Sequence, residues 1–130
     1  MSESYSIRRE LKNVSYADAV ERVTKALAGE GFGVLTTIDV RETFRKKLDV
    51  DFRPYLIMGA CNPQLAHRAL TDEPGIGLLL PCNVVVEETA EGVEVAAVRP
   101  RAMLGLAASR ALEAVADEAE ERLRRALACV

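Results

Sequence analysis

Two of the three cysteines precede an asparagine, each where a predicted strand ends. The first motif reads Gly59-Ala60-Cys61-Asn62-Pro63 and the second reads Leu80-Pro81-Cys82-Asn83. If the two strand ends lie side by side, the thiols share one small site, suited to a soft metal ion or to thiol redox chemistry. The candidate ligand-binding residues are therefore Cys61, Asn62, Pro81 and Cys82.

Cys61 lies immediately before a predicted helix, with Asn62 as its N-cap and Pro63 at its first position. The amides of a helix N-terminus favour a thiolate, so we expect a lowered pKa for the Cys61 thiol. The alternative interpretation is packing, because an unpaired cysteine behaves as a small apolar side chain. Cys129, close to the end of the sequence, is interpreted as an inert residue.

A soft metal ion is one candidate ligand of the same residues. Two thiolates supply half of the four ligands that a structural zinc site uses, and His67 in the following helix is a further candidate beside Cys61 and Cys82. A surface position is the alternative for His67, since the chain has no second histidine. No catalytic residue and no cofactor can be assigned from the sequence.

Composition predicts one soluble domain and excludes several function classes. The 130 residues are 49% apolar and carry a net charge of −3 with mixed signs, so no basic patch indicates nucleic-acid binding. No apolar run reaches the roughly 18 residues of a membrane helix, and the polar start does not resemble a secretory signal. An odd cysteine count without a disulfide framework favours the reducing cytoplasm.

The elements that position the cysteines follow from apolar periodicity and from turn residues. A capping box at Ser15 predicts a helix that ends near Gly29 and Gly31. Asp39 is the possible cap of a short helix over residues 41–48, in which we expect Phe44 and Leu48 to face inward. A long amphipathic helix is expected over roughly residues 106–128. The predicted strands cover residues 5–11, 32–40, 54–60, 77–80, 84–88 and 93–98. This pattern predicts an α+β domain with helices on one face of a mixed or mostly antiparallel sheet.

The segment from Arg53 to Glu88 carries a family resemblance. Its run Arg-Pro-Tyr-Leu-Ile-Met-Gly-Ala-Cys-Asn-Pro-Gln-Leu-Ala, followed by Leu-Leu-Leu-Pro-Cys-Asn-Val-Val-Val, resembles the domain-of-unknown-function family numbered 302. The resemblance covers most of residues 5–100 and leaves residues 101–130 as a C-terminal amphipathic helix. It implies a fold similar to that of the TATA-box-binding protein, often as a homodimer, with neither DNA binding nor an established activity.

Three functions are consistent with these observations. The first is a small cytoplasmic binding domain that holds a soft metal ion or a thiol-reactive small ligand near Cys61 and Cys82. The second is a thiol redox or thiol-transfer enzyme with Cys61 as its nucleophile. The third is a structural or partner-binding module that acts through dimerisation, with the C-terminal helix as the docking surface. Neither a nucleic acid nor a membrane is expected as a partner.

Overall fold

Within the described residues, five strands form one sheet in which every neighbouring pair is antiparallel. The computed structural model of the chain describes residues 3–130. The strands are β1 (Ser6–Lys12), β2 (Gly33–Asp39), β3 (Tyr55–Cys61), β4 (Cys82–Thr89) and β5 (Gly92–Val98). Their order in the sheet is β1-β5-β4-β3-β2, so the first and second strands of the chain lie at opposite edges.

Five α-helices accompany the sheet within residues 3–130. They are α1 (Tyr16–Gly29), α2 (Val40–Leu48), α3 (Pro63–Asp72), α4 (Pro100–Leu104) and α5 (Arg110–Ala128). The described residues also form two 3-10 helices, Pro74–Leu79 and Gly105–Ala107. The predicted α+β class is confirmed. No helix within residues 3–130 combines the length and the apolar character that a membrane span requires.

Local capping chemistry sets where the helices begin. The Ser15 hydroxyl accepts the backbone N–H of Asp18 at 3.1 Å, and the Asp39 carboxylate accepts that of Glu42 at 2.9 Å. These caps satisfy amides that have no partner inside the helix. Both predicted helix starts are confirmed.

The core lies between one face of the sheet and helices α1, α3 and α5. Alternate residues of the central strands point into it, among them Val84 and Val86 of β4. From α5, the buried residues are Leu112, Val115, Ala116, Ala119, Glu120, Leu123, Ala126 and Leu127. The apolar stripe of the C-terminal helix is thus used within the domain itself, so this stripe is not free to dock on a partner.

Residues 77–80 do not form the predicted strand. They belong mainly to the 3-10 helix Pro74–Leu79, and the Leu78 side chain is 92% exposed. A short apolar run does not by itself distinguish a buried strand from other structure, and the closely spaced Pro74, Gly75 and Gly77 favour tight turns. The sheet of the described chain therefore has one strand fewer than predicted.

Two further expectations need correction. Leu48 is exposed rather than inward-facing, because α2 contributes no buried residue. Phe44, the other predicted inward residue, is half-buried against Phe52, with ring centroids 5.1 Å apart in an edge-to-face contact. The long C-terminal helix begins at Arg110, since residues 100–107 form the separate short helices.

Candidate ligand-binding cleft

A cleft of about 300 Å³ lies where β3 and β4 meet helices α3 and α5. Leu65 and Ala69 of α3 form one wall, and Val115 and Ala119 of α5 form another. Leu35, next to the bulge in β2, lies at the exposed edge of the cleft. The walls come from segments that are far apart in the sequence, so the cleft exists only in the folded domain.

All four predicted ligand-binding residues, Cys61, Asn62, Pro81 and Cys82, line this cleft. They meet because β3 and β4 are antiparallel neighbours, which places the end of β3 beside the start of β4. Cys82 therefore begins a strand, whereas the sequence pattern predicts that it follows one. The two Cys-Asn motifs belong to one region of the surface.

The two thiols nevertheless do not form a pair. Cys82 lies opposite Ala60 in the β3–β4 register, and Cys61 lies opposite Gly33 of β2. Cys61 and Cys82 are therefore not cross-strand partners, although both line the cleft. All three cysteines of the chain are free.

The expected lowering of the Cys61 pKa is wrong. Burial raises the pKa of the Cys61 thiol, and burial together with a smaller effect of Cys61 raises the pKa of Cys82 to about 11. Desolvation penalises a thiolate. The helix N-terminus offers little compensation, because the Asn62 side chain already accepts the backbone N–H of Leu65 at 3.3 Å. Both thiols are neutral at neutral pH.

The candidate metal ligands are not assembled. His67 is exposed on α3 and does not line the cleft with Cys61 and Cys82. Within residues 3–130, no three side chains of the types His, Cys, Asp and Glu come together as a metal ion would require. The hypothesis of a soft-metal centre built from these three residues therefore has no support in the fold.

Asn62 has a second contact that the sequence did not reveal. Asn62 is only 9% exposed, and its Nδ2 lies against Gly31. A Cβ added to Gly31 would be 2.9 Å from this nitrogen. Gly31 has a positive φ of 84° and follows the end of α1. This glycine therefore does more than end a helix, since the absence of a side chain leaves room for the Asn62 amide.

The missed part of the site is its apolar wall. Leu65 and Ala69 lie in the helix that the sequence predicts after Asn62, and Leu35 lies in the predicted strand 32–40. Their spacing is the same whether they fill a core or border a cleft. The one available signal is the apolar character of Leu65 and Ala69 directly after the first Cys-Asn motif.

Comparison with known proteins identifies the family. The family model described as "Domain of unknown function DUF302" matches residues 7–130. No curated protein gave a significant match. A solved structure, described as the crystal structure of an uncharacterized conserved protein DUF302 from Bacillus stearothermophilus, is similar with a TM-score of 0.87 and 31% identity. The alignment covers 96% of this chain and 98% of that chain. The match to both family and structure shows that the chain belongs to the DUF302 family.

Proposed function

We propose that this domain binds a small, mostly apolar molecule in the cleft beside Cys61 and Cys82. The cleft itself carries the proposal. The cleft is open to the surface, has a volume of about 300 Å³ and is lined almost entirely by apolar side chains. Concave, mainly apolar sites of this size are typical of small-molecule binding.

The protonation of the thiols favours binding over thiol catalysis. A nucleophilic cysteine acts as its thiolate, whereas burial keeps Cys61 and Cys82 protonated. A neutral thiol is a polarizable, nearly apolar surface, so the two side chains are suited to contact an apolar ligand without bonding to it. Three free cysteines also support a location in the reducing cytoplasm.

A titration with N-phenyl-1-naphthylamine, an uncharged dye that brightens in apolar surroundings, tests the proposal. We expect saturable binding to the wild type and a loss of affinity of at least about tenfold in Ala66→Phe, whose new ring enters the cleft. The matched control is Ala114→Phe on the exposed side of α5, outside the cleft. The proposal fails if the wild type shows no saturable binding or if both variants bind equally.

We also propose that two copies of the chain associate through the free edge of β2. The two edges of the sheet differ in charge: β1 carries Arg8, Arg9, Glu10 and Lys12, whereas β2 has no charge before Asp39. Charged residues protect an edge strand from further pairing, and an uncharged, exposed edge invites it. The same edge on a second copy is a complementary partner about a two-fold axis.

Sedimentation velocity of two lysine variants tests this association. Thr37→Lys places a charge on the β2 edge. Thr89→Lys places the same charge at the exposed end of β4, which lies between two other strands and is not an edge of the sheet. We expect a dimer for the wild type and for Thr89→Lys and a monomer for Thr37→Lys. A wild type that is monomeric at all concentrations, or a Thr37→Lys dimer of unchanged stability, contradicts the edge as the interface.

A further inference from the structure

The walls of the cleft limit the charge of its ligand. The lining includes no Asp, Glu, Lys, Arg or His, and its only polar side chains are those of Thr36, Cys61, Asn62 and Cys82. Burial of an ionised group without a partner is costly. A carboxylate, a phosphate or an ammonium group would therefore find no compensating charge in this cleft.

The volume of the cleft limits the size of the ligand. An apolar cavity of about 150 Å³ is known to hold one benzene molecule. The cleft has about 300 Å³, roughly twice that space. A body of about two fused aromatic rings, or a branched hydrocarbon of similar volume, matches it.

Asn62 adds one directional polar group. Its Oδ1 is used in capping α3, as the acceptor of the Leu65 N–H. No residue of the described chain accepts a hydrogen bond from Nδ2, although Asn62 is nine-tenths buried and lines the cleft. Among the described residues, every fully buried side-chain nitrogen has a hydrogen-bond partner. Asn62 Nδ2 has none, so this nitrogen is partly open to solvent. Asn62 thus brings one donor without a protein acceptor, located beside Gly31, to an otherwise apolar lining.

We infer that the ligand is an uncharged molecule with an apolar body of about two rings and one acceptor oxygen, such as a neutral ketone or ester, which receives a hydrogen bond from Asn62. This inference rests on the proposed binding function and specifies its ligand class. The hydrogen bond orients the molecule, and the apolar walls supply most of the affinity.

Three probes of nearly equal shape test the inference by equilibrium dialysis: 2-acetylnaphthalene, 2-ethylnaphthalene and 2-naphthoate. We expect the ketone to bind about three- to tenfold more tightly than the ethyl compound, which has no acceptor. The carboxylate should bind at least about tenfold more weakly than the ketone, because the cleft cannot neutralise it.

The variant Asn62→Asp isolates the donor. It keeps an oxygen that caps α3 and replaces Nδ2 with a second oxygen, so the preference for the ketone over the ethyl compound should disappear. Asn83→Asp is the matched control, since it adds the same charge at an exposed residue outside the cleft, in the second Cys-Asn motif.

The outcomes distinguish a failure of the binding function from a failure of the ligand class. If neither neutral probe nor the dye binds the wild type, the proposed function fails. If the neutral probes bind but the naphthoate binds best, or if Asn62→Asp keeps the ketone preference, the binding function stands and this ligand class is overturned.

Discussion

The ring of Pro81 packs over the backbone of Gly59, so that a Cβ added to Gly59 would lie 2.8 Å from Pro81 Cγ. The Oγ1 of Thr36 in β2 would be closer still. Gly59 thus lies between the neighbouring strand on one side and the loop before β4 on the other. The glycine of the first Cys-Asn motif and the proline of the second are linked by this contact, at the border of the cleft.

Gly59→Ala should destabilise the domain. The methyl group would meet Thr36 and Pro81, and overpacking of a tight site costs about 1–3 kcal/mol. Gly33→Ala in the adjacent strand β2 is the control, because an added Cβ there has nothing within 4 Å. Urea unfolding of both variants checks this, and equal stabilities would show that Pro81 moves aside without cost.

Features with a local cause were predictable from the sequence. Ser15, Asp39 and Asn62 each cap a helix by a hydrogen bond to a residue three positions later, and a short segment is sufficient to recognise such a cap. The family resemblance also rested on a contiguous segment, and the family model and the solved structure confirm it.

Features with a tertiary cause were not predictable. The Cys61 pKa depends on how far apolar neighbours desolvate the thiol, which no local pattern reports. The cleft requires Leu35 and Val115 to meet across 80 positions of sequence (115 − 35). The segment around Leu78 has the composition of a strand, and only its exposure in the folded chain shows that it is a surface turn of 3-10 helix.

Leu123→Ala should distinguish a core helix from a docking helix. Leu123 of α5 is fully buried within the domain, so truncation should lower the free energy of unfolding by about 2–5 kcal/mol. Leu106→Ala, at an exposed leucine just before α5, should change it by less than about 0.5 kcal/mol. A small effect at Leu123 would mean that the stripe of α5 faces a partner in solution.

Cys82 should alkylate slowly in the folded protein until strongly alkaline pH. In a variant that keeps only this cysteine, the rate with iodoacetamide should still rise at about pH 10.5, because burial raises the pKa of Cys82 to about 11. The same variant in urea should reach half of its maximal rate at about pH 8.5–9 and level off by about pH 10, as expected of an exposed thiol. A plateau below pH 8 in the folded protein would instead indicate a stabilised thiolate.

Glu120 of α5 joins the C-terminal helix to the segment after β5. Its fully buried side chain accepts the backbone N–H of Arg101 at 3.2 Å and forms ion pairs with Arg99 at 3.1 Å and Arg124 at 3.0 Å. Burial alone would raise the pKa of this carboxyl, but the hydrogen bonds from Arg99, Arg124 and the Arg101 backbone outweigh burial and lower it.

Glu120→Gln should therefore destabilise the domain in a pH-dependent manner. At pH 7 the loss should be about 1–3 kcal/mol, since Gln keeps one acceptor but removes the charge that the arginines surround. The folded pKa lies below the ordinary value of about 4.5, so the unfolded chain takes up the proton first as the pH falls. The stabilising contribution is complete above about pH 4.5 and declines below it, so the gap between wild type and variant should narrow at pH 3.5. Urea unfolding at both pH values measures the gap, with Glu121→Gln, an exposed neighbour, as the control. An equal gap at pH 7 and pH 3.5 would mean that the Glu120 carboxylate is not held in its charged form by the arginines.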